Sequence, residues 1–207
     1  MPAKGKLFIV SAPSGSGKST LVNQILGEMP DLAFSLSFTT RKPRGSERDG
    51  VEYHFVSDKV FEMMITEDQF IEYARVFDHY YGTARSTVET ACAEGKDVIL
   101  DIDTEGATQV RNRVPDAVSI FILPPSYSAL KTRLERRGED KEETILKRLR
   151  WASQAEIYRY RDYDFVIVNE DVTVSVSLMK SIISAERCRK ERLIERIESI
   201  LKTFGGI

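Results

Sequence analysis

A glycine-rich turn directly behind a short apolar run constrains this chain more than any other feature. Leu-Phe-Ile-Val at positions 7–10 precedes Ser-Ala-Pro-Ser-Gly-Ser-Gly-Lys-Ser-Thr at 11–20, and helical apolar spacing begins at Leu21. A β-branched and aromatic run, a glycine-rich turn and a helical pattern in this order predict a strand, a phosphate-binding loop (P-loop) and a helix. The glycines let backbone N–H groups turn inward around a phosphate, and the helix N-terminus adds positive potential. The stretch therefore predicts a nucleoside triphosphate site.

Two side chains of this loop have specific expected roles. Lys18 is expected to reach the β- and γ-phosphates, and the Ser19 hydroxyl is expected to ligate Mg²⁺. Ala12 replaces the first glycine of the general pattern, which a methyl group tolerates if φ stays negative. The alternative, a Gly/Ser turn with a solvated lysine, is disfavoured by the flanking strand and helix. The predicted triphosphate-binding residues of the loop are Ala12, Pro13, Ser14, Gly15, Ser16, Gly17, Lys18, Ser19 and Thr20.

Length, charge and cysteine content narrow the class of protein. The 207 residues predict one domain with inserted lobes, and a net charge of −2 gives no reason to expect non-specific binding to nucleic acid or membrane. Cys92 and Cys188 fall in predicted helices without metal-type spacing, which indicates buried or free thiols in a reducing compartment. The apolar runs are too short for a signal peptide or a membrane span, so we expect a cytoplasmic protein.

Apolar strands alternate with helical patterns, which predicts a parallel sheet with right-handed crossovers. Core strands are expected at 97–103, 118–123 and 164–169. A helix capped by Ser126 is expected to end at Gly138, and a longer, highly charged helix is expected at 139–160. The tail at 174–204 is predicted to be helical. Its apolar seam is expected to pack on the body of the protein. The alternative is that the seam packs on a partner helix, and a homo-oligomer is therefore possible. The seam consists of Leu193, Ile197, Ile200, Leu201 and Phe204.

A segment of mixed character interrupts this alternation. Its predicted elements are a strand at 33–40, a strand at 53–56, a helix capped by Ser57, a strand pair over 70–81 ended by Gly82, and a helix at 86–94. We therefore expect an α/β fold: a three-layer α/β/α P-loop NTPase core with a parallel sheet, an inserted small α+β lobe and a helical lid. The expected boundaries are core at 1–37, inserted lobe at 38–91, core at 92–125, lid at 126–160, and core with the C-terminal helix at 161–207.

Three groups of charged residues are candidates for chemistry. Asp101 and Asp103 end a predicted strand on one face and could help to hold Mg²⁺, unless one of them caps the following turn. The loop at 41–48 is a candidate second phosphate site, because arginine forks match phosphate oxygens, although basic loops are often only solvated. Its expected members are Arg41 and Arg44, with Glu47, Tyr53 and Tyr81 as partners. A third group consists of Arg133, Arg136 and Arg137 on one predicted helix and Arg148 on the next. It could neutralise a transferring phosphoryl group from a mobile arm, the alternative being a solvated charged helix.

Nine segments, taken in this order, resemble the guanylate kinase family over nearly the whole chain. Besides the loop at 11–20 they are Ser-Phe-Thr-Thr-Arg-Lys-Pro-Arg at 37–44, Gly-Val-Glu-Tyr-His-Phe at 50–55, Phe-Ile-Glu-Tyr at 70–73, Tyr-Tyr-Gly-Thr at 80–83, Leu-Asp-Ile-Asp at 100–103, Phe-Ile-Leu-Pro-Pro at 121–125, Leu-Glu-Arg-Arg-Gly at 134–138 and Val-Ile-Val-Asn at 166–169. Each segment alone is weak evidence for the family, but the nine segments in this order are very specific for it. Ala12 agrees with what this family tolerates.

The resemblance implies phosphorylation of GMP, and of dGMP, by ATP with Mg²⁺. It implies a GMP site made of Ser37, Arg41, Arg44, Glu47, Tyr53, Glu72, Tyr81, Gly82, Thr83, Asp101 and Asp103. Within it, Ser37, Glu72 and Asp103 would bind guanine, whose adjacent N1–H and N2–H₂ donors suit a carboxylate. It also implies Ser19 and Asp101 at the metal, Asn169 near adenine, and a catalytic set of Lys18, Arg41, Arg133, Arg137 and Arg148.

Two alternative functions stay in view. A guanylate-kinase-like binding module would keep the fold without catalysis, but such modules have eroded P-loops, and Gly15, Gly17 and Lys18 are all present here. A related kinase for a ribose bisphosphate would not need residues that recognise guanine. An assay that offers ATP with several acceptors separates these functions.

Overall fold

The computed structural model describes residues 4–76, 78–137 and 142–205. Its elements, in chain order, are β1 (Leu7–Ser11), α1 (Lys18–Glu28), β2 (Leu32–Phe34), β3 (Phe38–Thr39), β4 (His54–Phe55), α2 (Asp58–Thr66), β5 (Phe70–Val76), β6 (His79–Ala84), α3 (Arg85–Ala93), β7 (Asp97–Asp101), α4 (Thr104–Arg113), β8 (Val118–Leu123), α5 (Tyr127–Arg137), α6 (Glu142–Gln154), a 3₁₀ helix (Glu156–Asp162), β9 (Phe165–Val168), α7 (Val172–Arg187) and α8 (Lys190–Thr203).

A five-stranded sheet in the order β2-β7-β1-β8-β9 forms the centre of the molecule, and all of its pairings are parallel. Successive side chains of β1 point to opposite faces, as the pleat requires. Phe8 and Val10 pack with α1 and α7 on one face, whereas Leu7 and Ile9 pack with α3 and α4 on the other. Burial on both faces explains why these strands are continuous apolar runs. The predicted α/β class with a parallel core sheet is confirmed.

A second, four-stranded sheet in the order β4-β3-β6-β5 lies under α2. Its small core is aromatic: the Phe61 ring stacks on Phe70 with centroids 4.3 Å apart and on Tyr80 at 5.1 Å. The predicted cap is present, since the Ser57 hydroxyl accepts from the backbone N–H of Val60.

Two strand predictions in this region are wrong in detail. The strand expected at 33–40 is two strands, because β2 pairs with β7 in the central sheet while β3 pairs with β4 and β6 in the second sheet. Gly82 does not end the hairpin but lies inside β6. A Cβ at Gly82 would come within 3.0 Å of the side chains of Phe61, Phe70 and Tyr73, so packing requires a glycine there.

The strand expected to continue to Asp103 ends at Asp101. Asp103 is the N-cap of α4, and its carboxylate accepts from the backbone N–H of Gly106 at 2.7 Å. The expectation that both carboxylates share one strand face is therefore wrong, and the alternative, that one of them caps the following turn, is confirmed.

The helices after β8 form an arm and a tail. Helices α5 and α6 share a small core of their own, built from Leu130, Leu134, Ile145, Leu149 and Ala152. The long helix expected at 139–160 is shorter where it is described, because α6 ends at Gln154 and a 3₁₀ helix follows. Among the described residues, no helix is long and apolar enough to cross a membrane. Both cysteines are free, Cys92 buried and Cys188 exposed.

The C-terminal tail is two helices, and its apolar seam is not packed as expected. No residue of α8 is buried, and Phe204 is 81 % exposed. The helix is held by charge at its first turn, where Arg192 donates to the buried carboxylate of Asp97 at 2.9 Å. Helical periodicity identified the apolar face of α8 correctly but could not tell what covers it.

Candidate functional site

The loop between β1 and α1 has the backbone that a phosphate cradle needs. Gly15 and Gly17 adopt φ values of 89° and 90°, in the left-handed region that favours glycine. Gly17 is also the residue directly before α1, so the loop feeds into a helix N-terminus. Ala12 is buried in the main core cluster, where its methyl group packs under the loop.

Lys18, Ser19 and Asp101 meet at the carboxyl end of the central sheet. Lys18 Nζ lies 2.5 Å from one carboxylate oxygen of Asp101 and donates to the backbone carbonyl of Ile102 at 2.6 Å. Ser19 Oγ donates to the other carboxylate oxygen at 3.0 Å. A hydroxyl and a carboxylate are the oxygen donors that Mg²⁺ prefers, and an ion held by so few protein ligands takes the others from phosphates and water. The two predicted metal ligands are thus in contact, and their chemistry fits Mg²⁺.

Side chains from elements far away in the sequence bind the backbone of the loop. Asn169 follows β9, and its Nδ2 donates to the Ser16 carbonyl at 2.8 Å. Arg133 on α5 donates to the same carbonyl at 3.1 Å and to the Asn169 carbonyl at 2.8 Å. Asn169 is 1 % exposed, so its amide faces the loop backbone and offers no edge to a base in this conformation. Its expected place near adenine stays a prediction.

The remaining arm residues also approach the loop. Arg148 Nη1 lies 3.4 Å from Ser14 Oγ. The side chain of Arg137 lies outside the described part of the chain. Sequence reasoning missed Glu156, whose carboxylate accepts from the Ser14 backbone N–H. Burial raises the pKa of Glu156, and the nearby Asp103 adds to this, while the Ser14 bond and Lys18 oppose it. Glu156 lies in a stretch with many charged residues, so the sequence pattern did not distinguish it as a residue that contacts the loop.

The loop after β3 holds a preformed arginine fork. Arg41 is 7 % exposed, and its two terminal nitrogens donate to the two carboxylate oxygens of Glu47 at 2.9 and 3.0 Å. Glu47 also accepts from the Arg44 backbone N–H, and its bond to Arg41 lowers the pKa of the Glu47 carboxyl. The guanidinium carbon of Arg41 lies 5.4 Å from the ring centroid of Tyr53. The Glu47 hydrogen bond raises the pKa of Arg41, burial opposes this, and a Tyr81 hydrogen bond raises the pKa further. Of the other four predicted members of this phosphate site, Glu47, Tyr53 and Tyr81 therefore contact Arg41 directly, and Arg44 is joined to it through Glu47.

A buried carboxylate lies between the second sheet and α4. Glu72 on β5 is 4 % exposed and accepts from Thr83 Oγ1 at 2.5 Å. Burial raises the pKa of Glu72 to about 7; Asp103 raises it further, while Thr83 and Lys18 lower it. Gly106 lies between the two carboxylates, because a Cβ there would be 2.6 Å from Glu72 Oε2 and its N–H bonds to Asp103. Glu72 and Asp103, two of the three residues that the resemblance assigns to guanine, thus lie near each other, Glu72 on β5 and Asp103 at the N-cap of α4.

Two further predicted residues, Gly82 and Ser37, are described by their backbone positions. Gly82 is buried under the aromatic cluster of the second sheet, as described above. Ser37 precedes β3, and its carbonyl accepts from the His54 backbone N–H at 3.0 Å. Their expected contacts with GMP stay predictions.

Known proteins resemble this chain along nearly its whole length. Residues 4–186 match the family model described as guanylate kinase. The chain is 46 % identical over 207 residues to the guanylate kinase of Idiomarina loihiensis, covering 99 % of this chain and 98 % of that protein. It is 48 % identical over 200 residues to the guanylate kinase of Yersinia pestis bv. Antiqua, covering 96 % of each. The crystal structure of guanylate kinase from Anaplasma phagocytophilum is similar with a TM-score of 0.77 at 33 % identity, covering 96 % of each chain.

Proposed function

Since this chain belongs to the guanylate kinase family, we propose that it transfers the γ-phosphoryl group of ATP to GMP, and likewise to dGMP, giving a nucleoside diphosphate and ADP. The observation that carries this proposal is the position of Lys18. It contacts Asp101 beside the P-loop, and its charge also acts on the buried Glu72 carboxylate of the other pocket. One cation thus contacts the site suited to a triphosphate and lowers the pKa of the carboxylate in the site suited to guanine.

The donor nucleotide binds the loop at residues 12–20. The inward N–H groups and Lys18 hold its phosphates, and Ser19 and Asp101, which contact each other, would hold Mg²⁺. The chemistry that a bound Mg²⁺ would supply is neutralisation of the charge that develops on the phosphate oxygens. Arg133 and Arg148 already contact the loop at Ser16 and Ser14, so the arm at 126–160 is placed to close over the donor, with Arg137 on the same helix as Arg133.

The acceptor binds the inserted lobe at 38–91. Arg41, Arg44, Tyr53 and Tyr81 hold the GMP phosphate, while Glu47 fixes the Arg41 fork. Glu72 accepts from the N1–H and N2–H₂ of guanine, with Ser37, Gly82, Thr83, Asp101 and Asp103 completing the pocket. None of these assignments depends on the ribose 2′-hydroxyl, which is why dGMP is included.

Transfer then needs no covalent enzyme intermediate. Closure aligns a GMP phosphate oxygen with the γ-phosphoryl group, and positioning with charge neutralisation supplies most of the catalysis. Lys18 and the arm arginines neutralise the transferring group, and the closed arm excludes water that would otherwise accept it. A kinase of ATP and GMP acts where these nucleotides occur, so we place the protein in the cytoplasm.

A coupled assay with ATP and a panel of acceptors tests the proposed reaction. We expect turnover of GMP and dGMP, and a kcat/KM for AMP that is lower by about 10⁴-fold, because adenine has an acceptor at N1 and leaves the buried Glu72 without partners. Preference for a ribose phosphate would establish the related small-molecule kinase instead. Nucleotide binding without transfer to any acceptor would establish a binding module.

The Arg41–Glu47 pair gives a second, smaller expected effect. Changing Glu47 to glutamine weakens the bidentate hold on Arg41 without removing the arginine, so we expect the KM for GMP to rise about three- to tenfold with the KM for ATP unchanged. Glu62→Gln on the exposed face of α2 is the matched control. Equal KM values for GMP in the two variants would contradict a role of Glu47 in phosphate binding.

A further inference from the structure

The peptide bond between Ser16 and Gly17 is fixed from its outer side. The Ser16 carbonyl accepts two hydrogen bonds, from Asn169 Nδ2 at 2.8 Å and from Arg133 Nη1 at 3.1 Å. Ser16 and Asn169 are almost completely buried, at 0 % and 1 % exposed. Buried bonds of this kind are costly to break, because each leaves a polar group without water.

Fixing this carbonyl also fixes an N–H group. The peptide is trans, and in a trans peptide the carbonyl and the following N–H point in opposite directions. With the Ser16 carbonyl turned outward to Asn169, the Gly17 N–H is turned toward the inside of the loop. Donors held in this way before the reaction need no reorganisation when charge develops on the phosphates.

The amide of Asn169 is itself held in one orientation. Ser175 on α7 is 1 % exposed, and its hydroxyl donates to Asn169 Oδ1 at 3.1 Å. With the oxygen committed to Ser175, the NH₂ group faces Ser16. The Asn169 backbone N–H is also bound, to the Leu123 carbonyl at 2.8 Å. A Cβ at Gly17 would lie 2.6 Å from Asn169 Nδ2, so the amide packs directly against the loop.

We propose that Asn169 and Ser175 are positioning residues for phosphoryl transfer, which set the direction of the Gly17 N–H toward the donor phosphates. This proposal rests on the proposed function for the identity of the donor. The sequence expectation places Asn169 against the adenine base of ATP. Under the present proposal, Asn169 instead affects the binding of the phosphate chain.

The deciding probe is inorganic tripolyphosphate, which has phosphates but no base. Asn169→Leu keeps the number and branching of the side-chain heavy atoms and removes the hydrogen bonds without adding charge. We expect this variant to lower kcat about 10- to 100-fold, less than outright loss of a preorganised donor because the Gly17 N–H remains, and to weaken the binding of ATP and of tripolyphosphate by equal factors. The KM for GMP stays within twofold of wild type, because the acceptor pocket is not touched.

Ser175 separates positioning from simple stabilisation. We expect Ser175→Ala to lower kcat about three- to tenfold. Ser175→Thr keeps the hydroxyl and should restore kcat. Ser177→Ala, at an exposed position of the same helix, should leave kcat unchanged. All rates are normalised to folded protein from thermal unfolding. The proposal is overturned if Asn169→Leu binds tripolyphosphate as wild type does while losing ATP, or if Ser175→Ala behaves as Ser177→Ala does. Failure of the wild-type protein to phosphorylate GMP would instead refute the proposed function, and the tripolyphosphate comparison would still decide this inference.

Discussion

We expect Lys18→Met to lower kcat for GMP phosphorylation by about 10³-fold, because removal of a charged group at a transferring phosphoryl group has an effect of this size. The substitution keeps most of the aliphatic stem and removes only the cation. In the free protein this cation lies between the Asp101 carboxylate and the Ile102 carbonyl. Steady-state kinetics with saturating ATP and GMP, followed by coupled detection of ADP, measure the loss.

The variant must be shown to be folded, because removal of Lys18 leaves Asp101 with Ser19 as its remaining hydrogen-bond donor at this contact. Asp101 is partly exposed and can be hydrated, so we expect only a small change in the thermal unfolding temperature. Lys59→Met, on the exposed side of α2, is the matched control for loss of a lysine. Turnover of Lys18→Met within tenfold of wild type would mean that the cation does not act on the phosphoryl group.

The P-loop could be predicted from the sequence because all of its determinants are local. Strand, turn and helix follow one another within residues 7–28, and the two glycines fall where the backbone needs φ near 90°. The core strands could be predicted for a similar reason, since burial on both faces requires an uninterrupted apolar run.

Long-range contacts could not be predicted in the same way. The bond from Asn169 to Ser16 joins residues 153 positions apart, and it exists because β9 and α7 pack beside the loop. The resemblance implied that Glu72 and Asp103 both bind guanine, but the position of Asp103 depends on where β7 ends and α4 begins. Two-residue periodicity holds only inside a strand, so it failed for Asp103, which lies beyond one.

Glu72→Gln gives the second large expected effect, a loss of about 10²-fold in kcat/KM for GMP. A carboxylate can accept from both N1–H and N2–H₂ of guanine, whereas an amide presents one acceptor and one donor, and each charged hydrogen bond contributes about 1.5–3 kcal/mol. Thr83 can still donate to the amide oxygen, so the pocket keeps its shape. Glu89→Gln on the exposed side of α3 is the control, and a Glu72→Gln enzyme within threefold of wild type would contradict the guanine assignment.

The ionisation of Glu72 makes the same contact dependent on pH. Its pKa is about 7 in the free protein, chiefly through burial, so the carboxylate is present above pH 7 and becomes a neutral acid as the pH falls below that value. The acid form accepts fewer hydrogen bonds from guanine, and binding of the base should therefore weaken, by up to about tenfold per pH unit below pH 7. Guanosine is the right ligand for this measurement, because it lacks the phosphate whose own ionisation near pH 6 would alter GMP binding. Its dissociation constant in the wild-type protein should rise from pH 8 to pH 6, whereas in Glu72→Gln it should be weak and constant, and parallel curves for the two proteins would show that another group controls recognition of the base.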